Sequence, residues 1–126
     1  MRVLLIEDEA SLADVLARNL RARGHAAVIA ASAEAALCEI DATFPDALIL
    51  DVNLPDLTGW DVLRRLTPAQ REVVRVIVIS AAPISPKRIE EFRPEVTLQK
   101  PFPIDALMRA LTPDGVRAVA GEEEPS

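Results

Sequence analysis

Aromatic side chains are almost missing from these 126 residues: there is no tyrosine, one tryptophan and three phenylalanines. The core must therefore be built from aliphatic residues and alanine. A single cysteine, Cys38, excludes an internal disulfide and a cysteine-rich metal site. Basic residues are outnumbered 14 to 20 by acidic ones, leaving a net charge of −6 and a pI near 4.8. Direct binding to nucleic acid needs a basic surface, so that partner class is set aside. No run approaches the ~20 apolar residues that cross a bilayer, and Val3–Ile6 behind Arg2 is too short for a signal peptide. The expectation is a soluble cytoplasmic protein that does not insert into membranes. What remains is a chain that is half apolar and 27% charged, of a length suited to one domain with a real core.

The most informative stretch is Ala47-Leu48-Ile49-Leu50-Asp51, followed by Pro55 and Gly59 in a turn-rich segment. An unbroken apolar run suits a strand covered on both faces, as in a parallel sheet. Its terminal carboxylate then falls where open α/β sheets hold ligands. Val3–Ile6 and Val76–Ile79 are similar runs, while Ala26–Ala30 and Val96–Leu98 are weaker. Helical patterns lie between them. Ser11–Arg23 carries Leu12, Val15, Leu16 and Leu20 at helical spacing, with a Ser11/Asp14 capping pattern and Gly24 as its stop. Ser32 opens a second helix with Ala36, Leu37 and Ile40 inward, closed by Pro45. Thr58/Asp61 opens a third, carrying Val62, Leu63 and Leu66 and broken by Pro68 and the charges around Arg71. Ser85-Pro86 starts a short fourth of about two turns. A fifth begins near Pro103 with Ile104, Leu107, Met108 and Leu111. Five alternations of strand and helix predict a parallel sheet with helices on both faces. Residues 1–112 form this domain, and the acidic segment 113–126 is expected to be disordered.

Polar residues recur where these strands end: Glu7 and Asp8, Asp51, Ser80 and Lys100. Parallel strands share one C-terminal edge, so these positions should converge. Three carboxylates held together repel unless a cation neutralises them. Mg²⁺ suits them, taking oxygen ligands and leaving positions for a phosphate. A carboxylate can be a nucleophile toward phosphorus, and the transferred group then presents oxygens that Mg²⁺, a hydroxyl and an ammonium can hold.

In this order and spacing, Glu7-Asp8, Leu50-Asp51 with Pro55 and Gly59, Ser80-Ala81 and Lys100-Pro101-Phe102 resemble a response-regulator receiver domain of bacterial two-component signalling. That resemblance implies a flavodoxin-like, doubly wound (βα)5 fold with a five-stranded parallel sheet in order 2-1-3-4-5. It also implies a cis Lys100–Pro101 bond. Asp51 would be the phosphoacceptor, served by a sensor histidine kinase or a histidine phosphotransfer protein. Asp8, Asp51 and the carbonyl of Asn53 would hold Mg²⁺ directly and Glu7 through water. Ser80 and Lys100 would hold the phosphoryl oxygens. The protein would catalyse its own phosphorylation and dephosphorylation without being a dedicated enzyme, and would switch a downstream protein partner through the 84–111 face.

One departure is Thr97, which stands where receivers usually carry an aromatic switch residue. Signalling is therefore expected to pass from Ser80 by a loop rearrangement. A phosphorylation-independent adaptor with the same fold is the alternative. An aspartate-nucleophile phosphohydrolase would want a second acid at position 53, which is asparagine. The chain is expected to act alone, without a fused output domain. His25 and the Arg64-Arg65 pair are read as surface features, and Cys38 and Trp60 as packing residues.

Overall fold

A computed structural model describes residues 1–112; the 113–126 segment expected to be disordered lies outside the described residues. Five strands, β1 (Arg2–Ile6), β2 (Ala26–Ala30), β3 (Ala47–Asp51), β4 (Arg75–Ser80) and β5 (Val96–Gln99), pair in parallel in the order β2-β1-β3-β4-β5. The expected doubly wound sheet is therefore the fold, and the Lys100–Pro101 bond is cis.

Side-chain alternation divides the core in two. Val3, Leu5, Ile49, Ile77 and Ile79 face α1 (Ala10–Ala22) and α6 (Ile104–Ala110), where they meet Leu16, Leu20 and Leu107. Leu4, Ile6, Leu48, Leu50, Val76 and Val78 face the other way. They pack on Ala36 and Ile40 of α2 (Ala33–Ala42) and on Val62 and Leu63 of α3 (Gly59–Arg64). Because β1, β3 and β4 are covered on both faces, they read as continuous apolar runs. Each fully buried Leu or Ile contributes roughly 1.5–3 kcal/mol. Edge strands β2 and β5 have mixed burial, which is why their sequences are weaker.

Four local expectations need correction. A further helix, α4 (Pro68–Val73), occupies the segment expected to be a break. Proline at the first helical position starts a helix as readily as it ends one, and Thr67 with Gln70 forms a complete capping box around it. Helix α1 begins at Ala10 behind Glu9, with no side-chain cap, so Ser11 sits inside the helix. Its buried stripe is Ala13, Leu16, Ala17 and Leu20, while Val15 is exposed. Cys38 is exposed, since two positions on from inward-facing Ala36 is a turn of about 200° around the helix. By contrast, Ser32, Thr58 and Ser85 cap their helices as read.

Trp60 packs as expected, and its partner lies far along the chain. Its ring stacks on Phe92, the last residue of α5 (Pro86–Phe92), with centroids 4.9 Å apart. The Arg64 guanidinium lies 5.1 Å from the same ring centroid while pairing with Asp61 and Glu91. Phe92→Ala should therefore lower stability by about 2 kcal/mol, less than a fully buried Phe→Ala change because Phe92 is half-buried. The emission of the sole tryptophan should shift to the red as water reaches it; an unshifted spectrum would count against the stack.

Candidate functional site

At the C-terminal edge of the sheet, three strand ends deliver buried polar groups. Asp51 closes β3, Ser80 closes β4 and Glu7 follows β1; all three are buried. Asp8 is exposed beside them. One carboxylate oxygen each from Glu7, Asp8 and Asp51 lie within 4.8 Å of one another. Lys100, just beyond β5, places Nζ 2.9 Å from Asp51 Oδ2 and 2.7 Å from Glu7 Oε1. The backbone ties these ends together: the Lys100 N–H donates to the Ser80 carbonyl at 2.7 Å, and the Val52 N–H to that of Ile79 at 3.1 Å.

The loop after Asp51 is equally fixed. The Asn53 N–H donates to Asp51 Oδ1 at 3.0 Å, Asn53 and Thr58 form an antiparallel bridge, and the Gly59 N–H donates to the Val52 carbonyl at 2.8 Å. A Cβ on Gly59 would run into the Asp51 carbonyl oxygen, so the turn back onto the strand requires glycine. Ser80 Oγ donates to the Ala82 carbonyl at 2.7 Å and accepts from the Ala82 N–H. Its hydroxyl is thus held by its own loop. Thr97 is exposed, paired with Val78 on the edge strand, and makes no part of this cluster. His25 lies at the opposite edge, with Nδ1 3.3 Å from the N-terminal amine.

The electrostatics follow from burial. Glu7 is pushed up to about 7, chiefly by burial; the Lys100 ammonium opposes this and the Asp51 carboxylate adds to it. For Lys100, burial acts to lower the pKa, but the two carboxylates outweigh it and hold it above its usual value. Glu7 Oε1 is buried and has the Lys100 ammonium at 2.7 Å as its one partner among the described residues. Three carboxylate oxygens gathered within 4.8 Å beside a single ammonium fit a divalent cation bound through oxygen.

Glu7 is protonated more readily in the folded state than in the unfolded chain, where its ordinary value of 4.5 applies. Metal-free protein should accordingly lose stability as pH rises from about 4.5 to about 7 and level off above. Melting curves across pH 5–8 test this. Glu7→Gln should flatten the slope, and an equal slope in that variant would assign it elsewhere.

Sequence reasoning had named every member of this cluster, and the fold brings Glu7, Asp8, Asp51 and Lys100 together, with Ser80 on the adjoining strand end. It missed Asp56, whose carboxylate accepts from the Ala33 and Glu34 N–H groups at 2.9 Å each. No local pattern signals a helix cap supplied from 23 residues away.

Residues 3–112 match the response regulator receiver domain family. The sensory transduction protein RegX3 of Mycobacterium tuberculosis is 43% identical over 79 residues, covering 63% of this chain and 34% of RegX3. The transcriptional regulatory protein TcrA of the same organism is 34% identical over 120 residues, covering 91% of this chain and 47% of TcrA. The chain thus spans about a third to a half of these curated relatives. Among solved structures, the signal receiver domain of a putative LuxO repressor protein from Vibrio parahaemolyticus superposes with a TM-score of 0.78 at 28% identity, covering 98% of each chain. A response regulator from Burkholderia pseudomallei, determined with a phosphorylated aspartic acid and a calcium ion, shares the fold. Its TM-score is 0.81 at 22% identity, covering 97% of this chain and 72% of that one. The match begins in the first strand and runs past the last described helix, so the chain belongs to the response-regulator receiver domain family.

Proposed function

We propose that Asp51 accepts a phosphoryl group from a phosphohistidine of a sensor histidine kinase or phosphotransfer protein, and that its phosphorylation alters binding to a protein partner. The observation that carries this reading is the placement of the Asp51 carboxylate. It is buried at a strand end, held by Lys100 at 2.9 Å and flanked by Glu7 and Asp8. Asp8 and Asp51 would hold Mg²⁺ with the Asn53 carbonyl, and Glu7 through water. Bound Mg²⁺ supplies a Lewis acid that screens negative charge at the phosphoryl oxygens.

The chain's own groups supply the rest. An Asp51 carboxylate oxygen attacks phosphorus; the new P–O bond forms as the P–N bond to the imidazole breaks, and the imidazole nitrogen leaves with that electron pair. Lys100, already charged and pointed at Asp51, meets a phosphoryl oxygen. Ser80 can meet another once its hydroxyl leaves Ala82, and that exchange frees the 81–85 loop and the 84–111 face beyond it.

Incubation with Mg²⁺ and acetyl phosphate should add one phosphoryl group by intact mass, and Asp51→Asn or removal of the metal should abolish it. The second reading, an adaptor that works without phosphorylation, is favoured by exposed Thr97. An unmodified parent that still binds its partner would select it.

A further inference from the structure

The loop from Val52 to Thr58 carries the Asn53 carbonyl, and its hydrogen bonds fall into two sets. One closes the loop upon itself and its strand: Asn53 N to Asp51 Oδ1, Gly59 N to the Val52 carbonyl, and the Asn53/Thr58 bridge. These fix its internal shape. Its tip, residues 54–57, meets the rest of the molecule through Leu54, which packs against the core on the α2–α3 side of the sheet, and through hydrogen bonds. Among the described residues, hydrogen bonds from that tip to another element come from one side chain, Asp56.

Asp56 Oδ1 accepts from the Ala33 N–H and Oδ2 from the Glu34 N–H, each at 2.9 Å. These are the first two free donors of α2; the next, Ala35 N–H, goes to Ser32 Oγ at 3.1 Å. Ala33 is fully buried, so water is a poor substitute partner for its N–H. A carboxylate on two N–H groups at a helix start is charge-assisted and complements the helix dipole. These bonds also hold the Asp56 carboxyl below its ordinary pKa.

From this geometry we propose that Asp56 is a positioning residue for the metal site, anchoring the loop that carries the Asn53 carbonyl to the start of α2. The inference rests on the assignment of Mg²⁺ to the Glu7–Asp8–Asp51 cluster and extends it to a residue that touches neither metal nor phosphate. Coupling of this kind is reciprocal. If the anchor helps place the Asn53 carbonyl, then Mg²⁺ must in turn steady the anchor and the first turn of α2.

Titration calorimetry with MgCl₂, paired with amide hydrogen exchange with and without Mg²⁺, tests both directions. In the parent, Mg²⁺ should slow exchange at Ala33 and Glu34. Asp56→Ala should bind Mg²⁺ about 5-fold more weakly, the low end for linked sites, and its α2 amides should no longer respond to the metal. Asp56→Asn keeps one acceptor oxygen, so it should fall between; it also serves should the alanine variant fail to fold. A variant that melts earlier yet binds Mg²⁺ as the parent does would reduce Asp56 to a helix cap and overturn the inference. So would exchange at Ala33 and Glu34 that ignores Mg²⁺ in the parent. A parent that binds no Mg²⁺ would overturn the metal assignment itself, an outcome distinct from failure confined to the Asp56 variants.

Discussion

Lys100→Ala should produce a protein that accepts phosphoryl at least ~100-fold more slowly and is less stable without metal, with the lost stability restored by Mg²⁺. The rate expectation follows from the 2.9 Å contact with Asp51: among the described residues of the cluster the Lys100 ammonium stands beside the acceptor, where it can meet an oxygen of the incoming phosphoryl group. The stability expectation has a separate cause. Lys100 also lies 2.7 Å from Glu7, so its removal leaves two buried carboxylates facing each other without a cation. Losing one partner of a buried ion pair costs about 3 kcal/mol where the remaining charge cannot be solvated. The protein can partly escape by protonating Glu7, already raised to about 7, so the deficit should be smallest near pH 5 and largest near pH 8. Mg²⁺ supplies the missing positive charge, so thermal shift with and without MgCl₂ at both pH values tests the account. A deficit indifferent to metal and to pH would show that Lys100 acts through the packing of its stem.

Gly59→Ala should lower the melting temperature by on the order of 10 °C, from roughly 2 kcal/mol of overpacking. The added Cβ would fall into the Asp51 carbonyl and lie 3.0 Å from Leu50 Cδ1. Backbone of the central strand yields little, since β3 is paired with β1 from Ala47 to Leu50 and with β4 from Ala47 through Asp51. The loop must move instead. That breaks the Gly59–Val52 hydrogen bond and shifts Asn53, so phosphorylation should slow by at least ~10-fold as well. Gly24→Ala is the informative control. Gly24 has φ +88 and open space around it, so its cost is backbone strain of about 1 kcal/mol, with phosphorylation unchanged. If both variants phosphorylate normally, the close approach at Gly59 is structural only.

The contrast between these glycines shows where the sequence was informative. Gly24 ends a helix, and its role is legible because helix stops are local. Gly59 reads only as part of a turn, because the atom it must avoid belongs to a strand eight residues earlier. Extra helix α4 is legible in principle: Thr67-Pro68 with Gln70 is a capping box, in which the proline starts a helix instead of ending one. So is the outward turn of Cys38, which follows from helix periodicity once Ala36 faces inward; that of Val15 is not, since it lies beside inward Leu16 and only the sheet beneath decides which face wins.

By itself, the sequence determined the alternation of apolar runs and helical stripes, the caps at Ser32, Thr58 and Ser85, and the polar residues that end the strands. These are short-range matters of periodicity and hydrogen-bond supply. Only the tertiary structure decided that Glu7 reaches Lys100 directly, that Ser80 turns its hydroxyl to Ala82, that Trp60 meets Phe92, and that Asp56 caps a helix from another loop. Each of these depends on distances between segments that are remote in the chain, set by the packing of the two layers of helices on the sheet.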